Sequence, residues 1–265
     1  MLEKRVNLLG VFVDDISLDS ALAIARCALE KNRVISFFTP NIEMISAVQD
    51  DGAKKRILNS ASVAIPDGIG VKMLSCILGR HINNSLAGIE LGEGLLGMAA
   101  KLGARVFLLG AREGIASLAA EKLQKRYRGL KVCGTHSGYF SPDNAGRVCE
   151  LINSSRADIL IVCQGFPSQE RFVFEHGGEL HSVKIFACLG GSLDVWSGTV
   201  KRAPSSFRAL HLEWLWRIAN EPKRIRRFVH SLAVFPLAFC TRIKKEGSKG
   251  MKAQKNAYNQ TDVNP

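Results

Sequence analysis

The feature that most constrains the fold is a regular alternation between short apolar runs and longer amphipathic segments, which begins near Val34. The amphipathic segments carry apolar residues at helical spacing, as in Ala116–Tyr127. A period of about 20–30 residues is typical of repeated strand–helix units. Near-continuous apolar strands indicate a parallel sheet that is covered on both faces. The pattern therefore predicts an α/β fold with a Rossmann-like, doubly wound and mostly parallel sheet. The predicted strands are Val34–Phe38, Ser62–Ile65, Arg105–Leu109, Lys131–Thr135, Asp158–Cys163 and Lys184–Leu189.

The two ends of the chain depart from this alternation. The first 30 residues resemble a short strand or hairpin followed by a helix whose N-cap is Ser17. The segment after Lys244 is polar and rich in Gly, Lys and Asn, which is typical of disorder. We therefore expect an α/β body over residues 1–200, a basic helical appendage over 201–243 and a disordered tail over 244–265.

The positive charge of the chain is concentrated at its C-terminal end. The whole sequence has a formal net charge of +12 and a pI of about 9.6. From Thr199 to Pro265 there are 14 Lys and Arg against 4 Asp and Glu, a net +10, which leaves +2 for the preceding 198 residues. Such an asymmetry predicts an anionic partner for the C-terminal end: nucleic acid, anionic lipid or a phosphorylated substrate.

Cysteine usage and hydropathy indicate a cytoplasmic protein. The seven cysteines include no Cys-x-x-Cys pair, and Cys163 and Cys188 lie in apolar runs, so we expect buried thiols in a reducing compartment. The N-terminus does not have the pattern of a signal peptide. The most apolar segment, Phe228–Cys240, is shorter than the roughly 18 residues of a membrane span and contains Pro236. The protein is therefore expected to be soluble or peripheral.

Polar and glycine residues follow each predicted strand, at the sheet edge where ligands bind in open α/β folds. Asp67 stands in a tight turn between a strand and a helix, where it either caps the helix that starts near Ile69 or performs chemistry. The loop from Gly110 to Gly114 resembles a turn that cradles phosphate, and Gly191 lies in a second such turn. For both glycine turns, a purely structural role is the alternative.

The sequence predicts no metal site and no cofactor. It contains no Asp-x-Asp triplet to hold a divalent cation, and the spacing of His176 and His181 does not indicate metal ligands. An anionic leaving group would then be neutralised by arginine and helix dipoles.

The segment from Lys201 to Cys240 combines tryptophan, leucine and arginine, and Pro222 divides it into two helices. This composition is typical of an amphipathic helix at a membrane surface. An ordinary docked helix with a solvated face is the alternative, as is a nucleotide- or nucleic-acid-binding protein with a basic arm. An NAD-dependent oxidoreductase is disfavoured, because no GxGxxG follows the first strand.

Seven motifs, in order, give the chain a specific resemblance to a known family. They are TPNIEM, PDGIG, VFLLGAREG, GTHSGYF, GFPSQE, LGGSLDVWSGTVKRAP and LEWLWRIANEPKRIRRF. Their order and spacing resemble those of the bacterial WecG/TagA/CpsF glycosyltransferases along almost the whole chain, from about Val6 to Phe239.

The resemblance implies an inverting, metal-independent transfer from a UDP-sugar to an undecaprenyl-diphosphate-linked sugar in cell-surface or exopolysaccharide synthesis. The donor sugar would be N-acetylmannosamine, its uronic acid or glucose. The general base would be Asp67, the membrane surface would be a partner, and nucleic acid would not. Self-association into a homo-oligomer is left open. The implied donor-binding residues are Thr39, Asn41 and Gln169, and the arginines that complete the site from the appendage are Arg217, Arg224 and Arg227, with Arg226 adjacent.

Two departures from the family pattern bear on the donor. Ser168 stands where the family has Lys, and Glu90 stands where it has Asp. Asn84 or Ser85 occupies the position of an expected Arg. Missing basic groups disfavour an acidic donor, so N-acetylmannosamine and glucose are the sugars that we expect.

Overall fold

A computed structural model of the protein describes residues 5–209, 212–222 and 224–243. The predicted disordered tail, residues 244–265, lies outside the described residues. The model contains a two-stranded antiparallel hairpin and a six-stranded sheet in which every pairing is parallel. The predicted doubly wound α/β fold is therefore confirmed.

The elements follow the predicted alternation, and the six predicted strands match the observed ones to within about two residues at each end. The strands are β1 Arg5–Leu8, β2 Val11–Asp14, β3 Ile35–Phe38, β4 Val63–Ala64, β5 Arg105–Gly110, β6 Lys131–His136, β7 Ile159–Cys163 and β8 Ile185–Cys188. The helices of the body are α1 Leu18–Glu30, α2 Ile42–Ala47, α3 Gly52–Leu58, α4 Ile69–Ile77, α5 Gly88–Leu102, α6 Ile115–Arg126, α7 Ala145–Ser155, α8 Ser168–His176 and α9 Ser192–Trp196. The appendage contributes α10 Ser205–Ala209, α11 Glu213–Asn220 and α12 Arg224–Ser231, and residues 234–243 are also helical.

The N-terminal segment forms the predicted hairpin and helix. Ser17 is the N-cap of α1, and its side chain accepts a hydrogen bond from the Ser20 amide. The hairpin is tied to the sheet edge by Asp14, which is fully buried. One carboxylate oxygen of Asp14 accepts from the Ala64 amide at 2.7 Å, and the other pairs with Arg5 at 3.1 Å.

Two hydrophobic layers cover the two faces of the sheet, because successive side chains of each strand point to opposite sides. Phe107 and Leu109 of β5 belong to the layer that contains α2, α3, α7 and α8. Val106 and Leu108 belong to the layer that contains α1, α5, α6 and α9. We call these the first and the second layer.

The strand order of the sheet is β4-β3-β8-β7-β5-β6, and it indicates where along the sheet a ligand binds. After β3 the chain enters α2 in the first layer, whereas after the neighbouring β8 it enters α9 in the second layer. Adjacent strands whose connections leave toward opposite faces open a crevice at their carboxyl ends. The ends of β3 and β8 are therefore the expected ligand site.

The appendage folds back onto the body. Helix α12 packs against α2, and the buried side chains of Val234 and Ala238 belong to the first layer. The two helices on either side of Pro222 are confirmed. They are joined by a stack between Trp214 and Phe228, whose ring centroids lie 4.6 Å apart. The boundary at residue 200 stays a prediction, since the two parts share one core.

The structure also bears on the predictions about the cysteines and about membrane-spanning segments. Cys163 and Cys188 are buried as predicted, and burial raises the pKa of the Cys163 thiol to about 12. Cys76 and Cys240 are exposed, so for them the prediction of buried thiols is wrong. Within the described ranges, no helix combines the length and the apolar character that crossing a membrane requires.

Candidate active site

A cavity of about 910 Å³ opens at the crevice between β3 and β8. Its body side includes four of the predicted donor-binding residues: Thr39, Asn41, Gln169 and Gly191. Its appendage side includes three of the predicted arginines: Arg224, Arg226 and Arg227. Asp67 also lines it. The structure thus brings together residues that lie far apart in the sequence.

The loop after β3 is held by its own polar side chains. Thr39 is 6% exposed, and its hydroxyl donates to the Cys188 carbonyl at 3.2 Å, which links the ends of β3 and β8. Asn41 is the N-cap of α2, and its side-chain oxygen accepts from the Met44 amide at 3.0 Å. Both side chains are fixed by these bonds at the edge of the cavity. Gly88 packs directly on Thr39, because a β-carbon there would lie 3.1 Å from the Thr39 hydroxyl.

Asp67 lies in a turn that backbone and side-chain hydrogen bonds hold in place. The Asp67 amide donates to the Pro40 carbonyl at 2.9 Å, and the Gly68 amide donates to the Ser85 hydroxyl at 3.1 Å. The interpretation of Asp67 as the cap of α4 is wrong. The N-cap of α4 is Gly68, with φ of +85°, a left-handed conformation that favours glycine.

Gln169 connects α8 with the loop after β8. Its side-chain oxygen accepts from the Gly190 amide at 3.0 Å, and its nitrogen donates to Glu170 at 2.7 Å. Gln169 is 3% exposed and Glu170 is fully buried. Burial, as the dominant cause, raises the pKa of Glu170 to about 7, although the bond from Gln169 opposes that shift.

Glu170 does not line the cavity itself, but it is bonded to Gln169, and its complete burial was not predicted from the sequence. The signal was present in the helical spacing of α8, where Phe172 and Val173 are buried on the same side as Gln169 and Glu170. A carboxylate on a buried helical stripe is rare unless it is bonded, and it marks a candidate functional position.

Gly110 is not among the residues that line the cavity. Its φ is +145°, and a β-carbon there would lie 2.3 Å from the Cys163 carbonyl oxygen on the neighbouring strand. Close packing of β5 and β7 therefore accounts for glycine at this position. A contact between Gly110 and a donor stays a prediction.

The arginines of the appendage form the second side of the cavity. Arg224 pairs with Glu221 at 2.6 Å, whereas Arg226 and Arg227 are exposed. The backbone of Arg217 belongs to α11, but its side chain lies outside the described part of the protein. Glu43 and Glu213 also line the cavity, so its lining includes both cationic and anionic side chains.

A second cavity, of about 760 Å³, adjoins the first, and the two share the lining residues Asn41, Glu43, Asp67, Glu213 and Arg224. The second cavity extends between α4 and the appendage. Many of its lining side chains are apolar. They include Met73, Trp214, Ile218, Phe228, Leu232 and Phe235.

A cluster of metal-ligand type lies away from the cleft. The ligand atoms of Cys149, His176 and Glu179 lie within 4.8 Å of one another. Residue spacing in the sequence does not reveal this cluster, because Cys149 comes from α7 and the other two residues come from the end of α8 and the turn after it. Burial first, and Glu179 second, raise the pKa of the Cys149 thiol to about 11. None of the three residues lines either cavity at Asp67.

The fold and the cleft define an α/β enzyme whose ligand site lies at a topological switch point. Comparison with known proteins gives the family. The model of the WecG/TagA/CpsF glycosyl transferase family matches residues 6–249, and the chain belongs to this family. The predicted resemblance is thus confirmed.

Curated relatives agree with this assignment. A Bacillus spizizenii protein named N-acetylglucosaminyldiphosphoundecaprenol N-acetyl-beta-D-mannosaminyltransferase is 33% identical over 229 residues, which cover 86% of this chain and 88% of its own. A Staphylococcus aureus protein of the same name is 31% identical over 233 residues, which cover 87% and 90%. The chain is therefore a glycosyltransferase.

Proposed function

We propose that the protein transfers a sugar from a UDP-sugar to an undecaprenyl-diphosphate-linked sugar. The observation that carries this proposal is the position of Asp67, which lines two adjoining cavities. Transfer between two substrates needs such an arrangement, because the reacting groups must meet at one catalytic side chain. The names of the curated relatives support the lipid-linked acceptor and an N-acetylmannosamine-type sugar, and the resemblance to the family implies the UDP carrier.

The first cavity is the donor site of this proposal. Its volume of about 910 Å³ lies near the upper end of the usual range for ligand pockets, which suits a nucleotide-sugar. Thr39, Asn41, Gln169 and Gly191 position the donor from the body side. Because Thr39 and Gln169 are held by hydrogen bonds to the chain, their orientation is set before the donor binds.

The second cavity is the acceptor site of this proposal. Its apolar lining suits the start of an isoprenoid chain, and its contact with Asp67 brings the acceptor hydroxyl to the base. Asp67 then removes the proton of that hydroxyl while its oxygen attacks the anomeric carbon. The bond from that carbon to the diphosphate oxygen breaks, and UDP leaves with the electron pair. A single displacement of this kind inverts the anomeric configuration.

The appendage supplies the positive charge for the leaving diphosphate. Arg224, Arg226 and Arg227 line the donor cavity, and Arg217 belongs to the same role by its match to the family motif. Guanidinium groups bind phosphate oxygens through paired, charge-assisted hydrogen bonds. They therefore stabilise charge that develops on the diphosphate, without a metal ion.

The appendage also suits attachment to the inner face of the cytoplasmic membrane. It combines the arginines with large apolar side chains that stay exposed after folding. Amphipathic segments of this composition bind anionic lipid surfaces. The exposed apolar side chains are Trp214, Leu215, Ile225, Val229, Leu232, Leu237, Phe239 and Ile243.

The donor sugar of this proposal is uncharged, either N-acetylmannosamine or glucose. The position where an arginine is expected holds Asn84 or Ser85, and both side chains are engaged elsewhere. Asn84 donates to Asp15 at 3.0 Å, and Ser85 accepts from the Gly68 amide. Neither supplies a cation for the carboxylate of a uronic acid.

The test is a transfer assay with the full-length chain in detergent or lipid. UDP-N-acetylmannosamine, UDP-N-acetylmannosaminuronic acid and UDP-glucose are each offered with polyprenyl-diphosphate-linked N-acetylglucosamine, with and without a chelator. Mass spectrometry identifies the product. We expect transfer of one of the two uncharged sugars, insensitive to the chelator. Absence of transfer from every donor would contradict the proposal, and preferred transfer of the uronic acid would overturn the choice of donor.

A further inference from the structure

A third cavity, of about 400 Å³, lies where the second layer meets the start of the appendage. Helices α5, α6 and α9 form its body side, and the segment that includes α10 closes it. It shares Val195 with the donor cavity, but it contains none of the residues assigned to donor binding or catalysis. Half of the residues that line it are cationic: Lys122, Arg126, Arg202 and Arg208, with Glu93 as the acid.

The cations of this cavity exceed the carboxylates that pair with them. Arg126 binds Glu93 at 2.9 Å. Arg202 binds Glu90 at 2.8 Å and lies 3.8 Å from Glu93. Lys122 donates to the Ser197 carbonyl, so the ion pairs described for the cluster involve two carboxylates for four cations. The Arg202 side chain is only 18% exposed, and like charges gathered around a largely buried guanidinium are unfavourable unless anions offset them.

Buried donors in the same cluster lack acceptors. The Nε atoms of Arg202 and Arg208 and the indole Nε1 of Trp196 are buried, and none has a hydrogen-bond partner among the described residues. Trp196 is 6% exposed and also lines the cavity. A buried N–H group with no protein acceptor carries a desolvation penalty that the acceptor atoms of a ligand would offset.

We infer that this cavity binds a phosphate-type oxyanion. Guanidinium, ammonium and indole N–H groups are all donors, and their convergence suits several phosphate oxygens at once. The volume accommodates a phosphate or a diphosphate group. The group comes either from the headgroup of an anionic phospholipid or from a soluble phosphate compound, because the recognising chemistry is the same.

The bound anion joins the body to the appendage. Lys122, Arg126 and Trp196 belong to the body, whereas Arg202 and Arg208 belong to the basic segment that leads into α11. Occupation of the cavity therefore stabilises the docked position of α10. This site is distinct from Arg224, Arg226 and Arg227, which line the donor cavity.

The test measures anion binding to the full-length chain by calorimetry, with UDP present to occupy the donor cavity and inorganic pyrophosphate or phosphate as the probe. Lys122→Gln removes one charged donor, and we expect binding about 10-fold weaker. Trp196→Phe removes only the indole donor, and we expect binding a few-fold weaker. Lys125→Gln removes the same charge from an exposed position of α6 that does not line the cavity, and it should bind as the wild type does.

A second experiment identifies the source of the phosphate group. Co-sedimentation is measured with vesicles of phosphatidylglycerol and phosphatidylcholine and with vesicles of phosphatidylcholine alone. Loss of soluble-anion binding in Lys122→Gln and Trp196→Phe supports a soluble ligand. Loss of only the phosphatidylglycerol-dependent binding supports a lipid headgroup. If both variants match Lys125→Gln in both experiments, the inference is overturned.

Discussion

The two sides of the donor cavity differ in how they are built. On the body side, Thr39 and Gln169 are nearly buried and are held by hydrogen bonds to the loop and strand end at β8. On the appendage side, Arg226 and Arg227 are exposed, and their helix follows a break at Pro222. The body side has the geometry for recognition, and the appendage side has the charge. In the proposed mechanism, binding the donor and activating its leaving group therefore depend on separate elements of the chain.

The largest expected effect comes from removing one arginine on the appendage side of the donor cavity. We expect Arg227→Gln to lower kcat by roughly 10²–10³-fold, because it removes a donor for charge that develops on the leaving diphosphate. Steady-state transfer kinetics measure this effect. Arg147→Gln, on the exposed face of α7, is the matched control and should retain wild-type kcat. An Arg227→Gln enzyme with normal kcat would mean that the charge comes from elsewhere.

The raised pKa of Glu170 allows a test of the body side of the donor cavity. Since burial raises the pKa of Glu170 from 4.5 to about 7, its contribution to stability is complete below about pH 4.5 and is lost as the pH rises through about 7. At about 1.4 kcal/mol per pKa unit, the loss amounts to about 3 kcal/mol. Glu170→Gln stays neutral and keeps an acceptor for Gln169.

The measurement is the free energy of unfolding of the wild type and of Glu170→Gln between pH 4.5 and 8. The wild type should lose stability relative to the variant across that window, with most of the change before pH 7.5. Parallel pH profiles for the two proteins would show that the carboxyl of Glu170 keeps an ordinary pKa in the folded state.

Gln169 should affect donor binding more than turnover. Gln169→Ala removes the link between α8 and the Gly190 amide, and we expect kcat/KM for the donor to fall roughly 10–100-fold, mainly through KM. Gln124→Ala, at an exposed position of α6, controls for loss of an amide side chain. A fall confined to kcat would assign Gln169 to the chemical step and weaken the contrast between the two sides.

The smallest effect concerns the exposed apolar surface of the appendage. Phe239 is 59% exposed, and Phe174 of α8 is 54% exposed on the body. If the appendage contacts lipid, Phe239→Ser should weaken sedimentation with anionic vesicles about three- to tenfold, through loss of buried apolar area. Phe174→Ser should leave it unchanged. Equal losses in both variants would show that membrane binding is not a property of the appendage.

Much of the fold follows from local sequence. The β5 and β7 strands were predictable because an uninterrupted apolar run fits a sheet that is covered on both faces. The break at Pro222 follows from the geometry of proline. The prediction that Asp67 caps α4 was wrong, because the N-cap of that helix is Gly68, a residue with positive φ.

The features of the site that could not be predicted from local sequence depend on contacts between residues that lie far apart in the chain. Glu90 was visible as a departure from the family pattern, but its partner Arg202 lies 112 residues away. The cationic cavity that includes Arg202 was invisible for the same reason. Glu170 was visible on a helical stripe, but its complete burial depends on how α8 packs on the sheet. Resemblance to the family located Asp67, and the structure added its position between two cavities.

Substitution of Asp67 should separate donor binding from the chemical step more clearly than any other change. The decisive measurement compares Asp67→Asn with the wild type and with Asp143→Asn, an exposed control, for both UDP affinity and kcat of transfer. We predict that kcat of Asp67→Asn falls roughly 10²–10⁴-fold while its Kd for UDP stays within about twofold. Near-normal kcat, or a loss explained entirely by weaker UDP binding, would contradict the assignment of Asp67 as the general base.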